Sequence, residues 1–484
     1  MIRSVRRLAV VLGVLLVAVL ANLTYLQYFA AADMRTQAGN SRILLDEYSR
    51  QRGPILLGSV AIASSIPTSD QLKYLRQYSN GPLYAPATGF YSVVYGATGI
   101  ERTENSVLSG SDDAFFVDRV QQLFAGRGIQ GGAVRLTLDP KAQKAAYDGL
   151  AGRTGAVVAI DPRTGAILAL ATSPSFDPNV LSSHDPAKIR AAYAKYSDDP
   201  QQPLLNRPLA MTLPPGSTFK LVTAAAALET GRYTPTTVVP GPASLKLPST
   251  SKELKNWSGS ACGPGGKTTF ENALAVSCNT AFASIGLDVG ADAFRAQAEK
   301  FGFDHSFEVP LRAATSRFPA DPDLPQTAMS AIGQFDVTAT ALQMAMVGAG
   351  IGDNGQVMSP YLVAQTLSPD LQVLQNAEPS AFSQAMSPAN AATLLGMMVT
   401  VVDQGTGSNA RIPGVPVGGK TGTAQNAPGQ PAHAWFVGVA PATPGAAQVA
   451  VAVVLQNGGG AAEVSGNKLA APIAKAVMEA IVGR

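Results

Sequence analysis

An apolar run near the N-terminus constrains this 484-residue chain more than any other feature. It extends from Leu8 to Ala21 and continues, more mixed, through Tyr25 and Leu26 to Tyr28 and Phe29. A bilayer span needs about 20 such residues, and residues 8–29 supply them. Arg3, Arg6 and Arg7 precede the run and are expected to stay on the cytoplasmic side. Tyr25, Tyr28 and Phe29 are then expected at the outer interface. A cleavable leader is the rival reading, because Val19-Leu20-Ala21 before Asn22 resembles a small-residue cleavage site. The apolar stretch runs past that site, which favours an uncleaved anchor. Either way, everything beyond about residue 30 is expected outside the plasma membrane. No second long apolar segment follows in the sequence, so a single pass is expected.

The chain is too long for one ordinary domain, and at 46% hydrophobic residues it can build a large core. A net charge of +3, with no basic stretch interleaved with aromatics, gives no case for nucleic acid. His184, His305 and His433 are scattered without metal-ligand spacing, and no metal or organic cofactor is expected. The two cysteines, Cys262 and Cys278, are no disulfide framework. Two readings stay open for them. In an oxidising compartment they would close a loop, worth about 3 kcal/mol in the chain-entropy account; otherwise they are separate buried thiols.

Residues 30–135 read as a small, irregular, β-rich module, with turn signals at Arg52-Gly53-Pro54, Ser79-Asn80-Gly81-Pro82 and Gly126-Arg127-Gly128. Short runs such as Phe90 to Tyr95 suggest strands between them. Near residue 134 the character changes. Val134–Leu138 reads as a strand, and Asp139-Pro140 as the cap of a helix to Leu150. Gly155–Leu170 reads as a hairpin around Pro162-Arg163-Thr164-Gly165. Ala-rich helical segments follow over 219–350. Strands are expected again at Val437–Ala440 and Val449–Leu455, then a helix from Leu469 to Ile481. Strands at both ends with helices between them imply an α+β domain whose sheet joins sequence-distant strands.

Three short motifs carry the chemistry. Pro214-Pro215-Gly216 leads into Ser217-Thr218-Phe219-Lys220 and an Ala/Leu helix, so Ser217 and Lys220, three apart, share a helix face. A serine hydroxyl needs a base to become a nucleophile. Lysine can be that base once burial or a neighbouring positive charge depresses its pKa. The helix start adds N–H groups for a developing oxyanion. Alone, Ser-x-x-Lys recurs by chance. Ser277-Cys278-Asn279 offers a hydroxyl that can pass a proton and an amide that can bind a peptide backbone; alone, it is ordinary turn chemistry. Gly418-Gly419-Lys420-Thr421-Gly422-Thr423 suggests an edge strand that a ligand's backbone approaches. Lysine and threonine suit a carboxylate there, and Gly422 is read as removing a side chain that would block it.

In this order the three motifs resemble the set of penicillin-binding proteins and serine β-lactamases. The resemblance extends further. Ser173-Pro174-Ser175-Phe176-Asp177-Pro178-Asn179, Asn206-Arg207-Pro208, Ala331-Ile332-Gly333-Gln334 and Val401-Val402-Asp403-Gln404-Gly405-Thr406-Gly407 look like class B penicillin-binding proteins. So does Arg52-Gly53-Pro54-Ile55, although Leu56-Leu57-Gly58-Ser59 departs from what usually follows it. The short module and Ala-rich style resemble the actinobacterial penicillin-binding protein A group.

The resemblance implies an α+β fold of the penicillin-binding and serine β-lactamase type. An antiparallel sheet with a helical subdomain would carry a small β-rich N-terminal module and one transmembrane helix. It implies a cytoplasmic tail at 1–7, an anchor at 8–29, a non-catalytic module at 30–135 and a transpeptidase domain at 136–484. The implied activity is peptidoglycan D,D-transpeptidation in cell wall synthesis and division, with D,D-carboxypeptidase as a side activity. Catalytic roles fall on Ser217, Lys220, Ser277 and Lys420; substrate binding falls on Asn279, Thr421, Gly422 and Thr423. A Cys262–Cys278 disulfide would lock the cleft wall. Partners implied are stem peptides ending in D-Ala-D-Ala, β-lactams, the plasma membrane, a separate glycosyltransferase and division proteins. Rival enzyme classes fit less well. The stretch 30–135 is too short for a glycosyltransferase domain, and 281–335 holds no Glu-x-x-x-Asn of the deacylating kind. The loose phosphate-loop pattern Ala261–Thr268 follows polar loop sequence rather than a buried strand, and is set aside. A catalytically dead scaffold or penicillin sensor remains as the non-enzyme alternative.

Overall fold

The computed structural model describes residues 2–25, 47–116, 124, 128–425, 429–460 and 464–483. A helix over Ile2–Thr24 begins the chain. Its stretch Val5–Thr24 has mean hydropathy 2.2, is unburied, and is long and apolar enough to cross a membrane, which fits a single-pass anchor. The expected end of the span at Leu26, Tyr28 and Phe29, and the expected turn at Gly126-Arg127, lie outside the described residues.

The centre is an antiparallel sheet of five strands among the described residues. Their order is Gly418–Ala424, His433–Ala440, Val449–Leu455, Gly155–Ile160, Ile167–Ser173. The hairpin Gly155–Ser173 thus joins C-terminal strands, as the sequence pattern required. Successive side chains of a strand point to opposite faces, and here both faces are covered. Val157, Ala159, Val451 and Val453 pack under the helices Pro140–Leu150 and Ala471–Val482. Ala156, Val158, Ala450 and Ala452 pack on the other side with the wholly buried helix Ala341–Gly352. Strands buried on both faces read as continuous apolar runs, which is why they were visible in sequence. The C-terminal helix is broken into Gly466–Leu469 and Ala471–Val482, with a proline in the first turn of the second. Asp139 caps Pro140–Leu150 by accepting from the N–H groups of Lys141 and Ala142.

The N-terminal module differs from expectation in two ways. Its sheet is not contiguous in sequence: Val373–Asn376, Val363–Leu367, Ala133–Leu136, Ile55–Leu57, Val60–Pro67 and Tyr74–Tyr78 lie side by side. Two strands from beyond residue 136 therefore complete it, and residues 133–136 belong to it. The run Phe90–Tyr95 yields only the two-residue strand Tyr91–Ser92. Its aromatic rings are used in separate contacts, Phe90 edge-on to Phe176 and Tyr91 stacked on Tyr48. Between these elements the Glu101 carboxylate, fully buried, accepts from Arg52 Nε at 2.5 Å, Arg76 Nε at 2.6 Å and the Tyr78 hydroxyl at 3.1 Å.

Candidate active site

The first motif is a 3₁₀ turn, Gly216–Phe219, running into the α-helix Lys220–Glu229. Gly216 has φ +53°, a left-handed conformation that costs a side-chain-bearing residue energy. Its N–H donates to Gly333 O at 2.9 Å, so Ala331–Gln334 backs the turn. Ser217 is half-buried at the opening of the turn, whereas Lys220 is fully buried.

The second motif lies between the helices Phe270–Ala275 and Asn279–Val289. Ser277 has φ +60°, unusual for a residue with a Cβ. Held there, its hydroxyl meets both lysines: Lys420 Nζ donates to Ser277 Oγ at 2.9 Å, and Lys220 Nζ reaches the same oxygen at 3.2 Å. Lys220 also donates to Ser277 O and to Asn279 Oδ1, each at 2.8 Å. Lys420 donates further to Thr421 O at 3.0 Å. Cys278, between the two polar residues, is disulfide-bonded to Cys262.

Burial, with no carboxylate partner among the described residues, governs the electrostatics. Desolvation pushes the Lys220 ammonium well below the usual lysine range, and the neighbouring Lys420 charge pushes it further. Desolvation lowers Lys420 to about 7. A lysine that has lost its proton has a lone pair, so the depressed pKa lets each amine accept a proton as well as donate one.

The third motif forms the edge strand Gly418–Ala424. Thr421 Oγ1 donates to Thr406 Oγ1 at 2.9 Å, and Thr423 is half-buried. Gly422 has a packing role that the sequence did not show. A Cβ there would lie 3.0 Å from Pro215 O and from Thr218 Cγ2, and 2.9 Å from Trp435 Cβ. The missing side chain therefore makes room for the turn that carries Ser217. Trp435 and Phe436 are both core residues. The set-aside segment Ala261–Thr268 holds a 3₁₀ turn, Pro264–Gly266, that enters the strand Lys267–Thr269, so its lysine and threonine begin a strand and the helix Phe270–Ala275 starts only after it.

Sequence reasoning gave no role to Thr406 or Asn256. The Thr406 N–H donates to Ala275 O at 3.0 Å while its hydroxyl meets Thr421, so Gln404–Gly407 ties the second motif to the third. The signal was the resembling stretch Val401–Gly407 itself. Asn256 Nδ2 donates to Pro242 O and Ser260 O, and its Oδ1 accepts from Thr280 N at 3.1 Å. Nothing in its polar loop sequence sets that asparagine apart.

Set against known proteins, the arrangement has a family. The penicillin binding protein transpeptidase domain matches residues 155–479. The chain belongs to the penicillin-binding protein transpeptidase family. A second family, the penicillin binding protein A dimerisation domain, matches residues 52–134. Among penicillin-binding protein relatives, the peptidoglycan D,D-transpeptidase PbpA of Mycolicibacterium smegmatis is 44% identical, over 99% of this chain and 98% of its own. Its Mycobacterium tuberculosis counterpart is 41% identical over the same shares. The solved penicillin-binding protein A of M. tuberculosis, as a ceftriaxone acyl-enzyme complex, superposes with TM-score 0.88 at 41% identity, covering 90% of this chain and all of that one.

Proposed function

We propose that this penicillin-binding protein is a peptidoglycan D,D-transpeptidase that works through an acyl-enzyme on Ser217 and is inactivated there by β-lactams. One observation carries the reading: two buried lysines, Lys220 and Lys420, meet on the single hydroxyl of Ser277, one turn from Ser217 on the Lys220 side. Neutral Lys220 takes the Ser217 proton. Ser217 Oγ attacks the carbonyl carbon between the two D-alanines of a stem peptide, forming an ester as the peptide C–N bond breaks. Ser277, linked to Lys420, delivers the proton to the departing D-alanine amine. The N–H groups of Ser217 and Thr423 receive the oxyanion. Thr421 and Thr423 hold the terminal carboxylate, and Gly422 lets their strand sit against the turn. Asn279 holds the donor peptide through its remaining amide hydrogen. An amine of a neighbouring stem peptide then attacks the ester and restores the Ser217 hydroxyl; water in its place gives carboxypeptidation.

In the same reading, residues 1–7 are cytoplasmic, 8–29 cross the membrane and the rest lies outside. Residues 30–135 are non-catalytic, and 136–484 carry the reaction while lending two strands to the module's sheet. A separate glycosyltransferase supplies glycan strands, and division proteins are partners. The test is labelling of the full-length chain by fluorescent penicillin. A persistent adduct is expected, and it should disappear in Ser217→Ala. Equal labelling of the variant, or rapid turnover without an adduct, would overturn the reading.

A further inference from the structure

A hairpin of Ser244–Lys246 and Glu253–Lys255 adjoins the second motif. Asn279 Nδ2 donates to Lys255 O at 3.2 Å. The next residue, Asn256, is buried and bonded to Pro242, Ser260 and Thr280. The Cys262–Cys278 disulfide fastens the same loop to the same motif. From this fixed base Trp257 stands 85% exposed. It is two residues, about 7 Å of chain, from the carbonyl that Asn279 contacts. A rigid loop that displays a tryptophan offers a large amphipathic contact surface at low entropy cost. Along the hairpin that leads to it Lys246, Lys252 and Lys255 are exposed against one acid, Glu253, whose carboxylate accepts from Ser244 Oγ at 3.0 Å. Three cations and one anion leave this hairpin two positive charges.

We propose that Trp257 and the lysines at 246, 252 and 255 form the receiving surface for the carboxylate-bearing body of the donor peptide. The inference rests on the transpeptidase reading and deepens it. A donor acylating Ser217 places its leaving D-alanine toward Thr421 and Thr423. The remainder of the peptide must then leave the cleft on the Asn279 side, where this hairpin begins. The ring packs along the peptide and the lysines face its carboxylates. Trp257 is thus a specificity-determining residue that sets affinity for the peptide, not the chemistry at the scissile bond.

The chain has two tryptophans, and the other, Trp435, is fully buried. Binding at Trp257 is therefore readable as a blue shift in emission. The full-length chain carrying Ser217→Ala, so that nothing turns over, is titrated with a synthetic stem pentapeptide ending in D-Ala-D-Ala. A saturable blue shift is expected, absent when Trp257→Phe is added. With Ser217 intact, Trp257→Ala should raise KM for the peptide about tenfold, the range of an aromatic anchor. Trp257→Phe should recover most of that, with kcat little changed in either. Amidating the peptide's side-chain carboxylate should weaken binding to the parent chain. Peptide turnover with the same KM in Trp257→Ala, or binding without a shift, overturns the inference while leaving the transpeptidase reading intact. Failure of penicillin to label Ser217 overturns the reading beneath it.

Discussion

Replacing Lys420 by methionine should stabilise the protein at neutral pH while disabling it. Lys420 is fully buried, has no carboxylate partner among the described residues, and its pKa falls from 10.5 to about 7. At or below pH 7 the folded state therefore carries a penalty of about 5 kcal/mol, at 1.36 kcal/mol per pKa unit. The sign follows from proton counts. Between pH 7 and 10.5 the unfolded lysine holds a proton that the folded one has lost, so wild-type stability rises with pH across that window. Methionine has about the right volume and no charge. It leaves Ser277 Oγ and Thr421 O without their Lys420 partner, at about 1–3 kcal/mol together. The variant should gain about 2–4 kcal/mol at pH 7, and its advantage should shrink by about 1.4 kcal/mol per pH unit and reverse at about pH 8.5 to 10. Chemical denaturation of both proteins at pH 7, 8 and 9 measures this. The slope is the decisive quantity, because lost hydrogen bonds shift the difference without tilting it. A stability difference that stays constant from pH 7 to 9 would refute the claim that Lys420 is held by desolvation alone. The stabilised variant should label with penicillin far more slowly, since Ser277 loses its Lys420 partner.

Two further outcomes test separate parts of the structure. Lys220→Arg keeps a cation but removes the base, because guanidinium does not deprotonate in proteins; penicillin labelling should fall about 10²–10⁴-fold. In the parent chain, labelling should decline as pH drops through the depressed Lys220 pKa, and that acid limb should be missing from the residual activity of the variant. In the N-terminal module burial raises the Glu101 pKa, but Arg76 and Arg52 outweigh it and hold the carboxyl below its usual range. Glu101→Gln should destabilise the chain by about 3–5 kcal/mol, the cost of leaving buried charges unpaired. A denaturation midpoint equivalent to less than about 1 kcal/mol of loss would show that neighbouring dipoles suffice.

What the sequence disclosed and what it hid divide along a physical line. Runs such as Val449–Leu455 and Gly155–Ile160 are legible because both faces of the central sheet are covered, so every position is apolar. Ser217, Lys220, Ser277 and Lys420 were legible because the spacing of three short motifs restricts the chemistry together, although no one of them does so alone. The N-terminal sheet was not legible, since Val363–Leu367 and Val373–Asn376 join it from more than 200 residues downstream. No local periodicity encodes a partner that far away. The packing role of Gly422 was hidden for a related reason. A glycine in sequence says only that a Cβ is unwelcome, and what excludes it here is Pro215, Thr218 and Trp435, brought in from both sides by the fold. The same holds for the electrostatics. Two lysines 200 residues apart carry no sign in sequence that each will be desolvated, or that they will share the hydroxyl of Ser277. The residue types are local information, while their reactivity is a property of burial. Exposing Lys420 to water without moving it should therefore return its pKa toward 10.5 and leave the motif intact but slow.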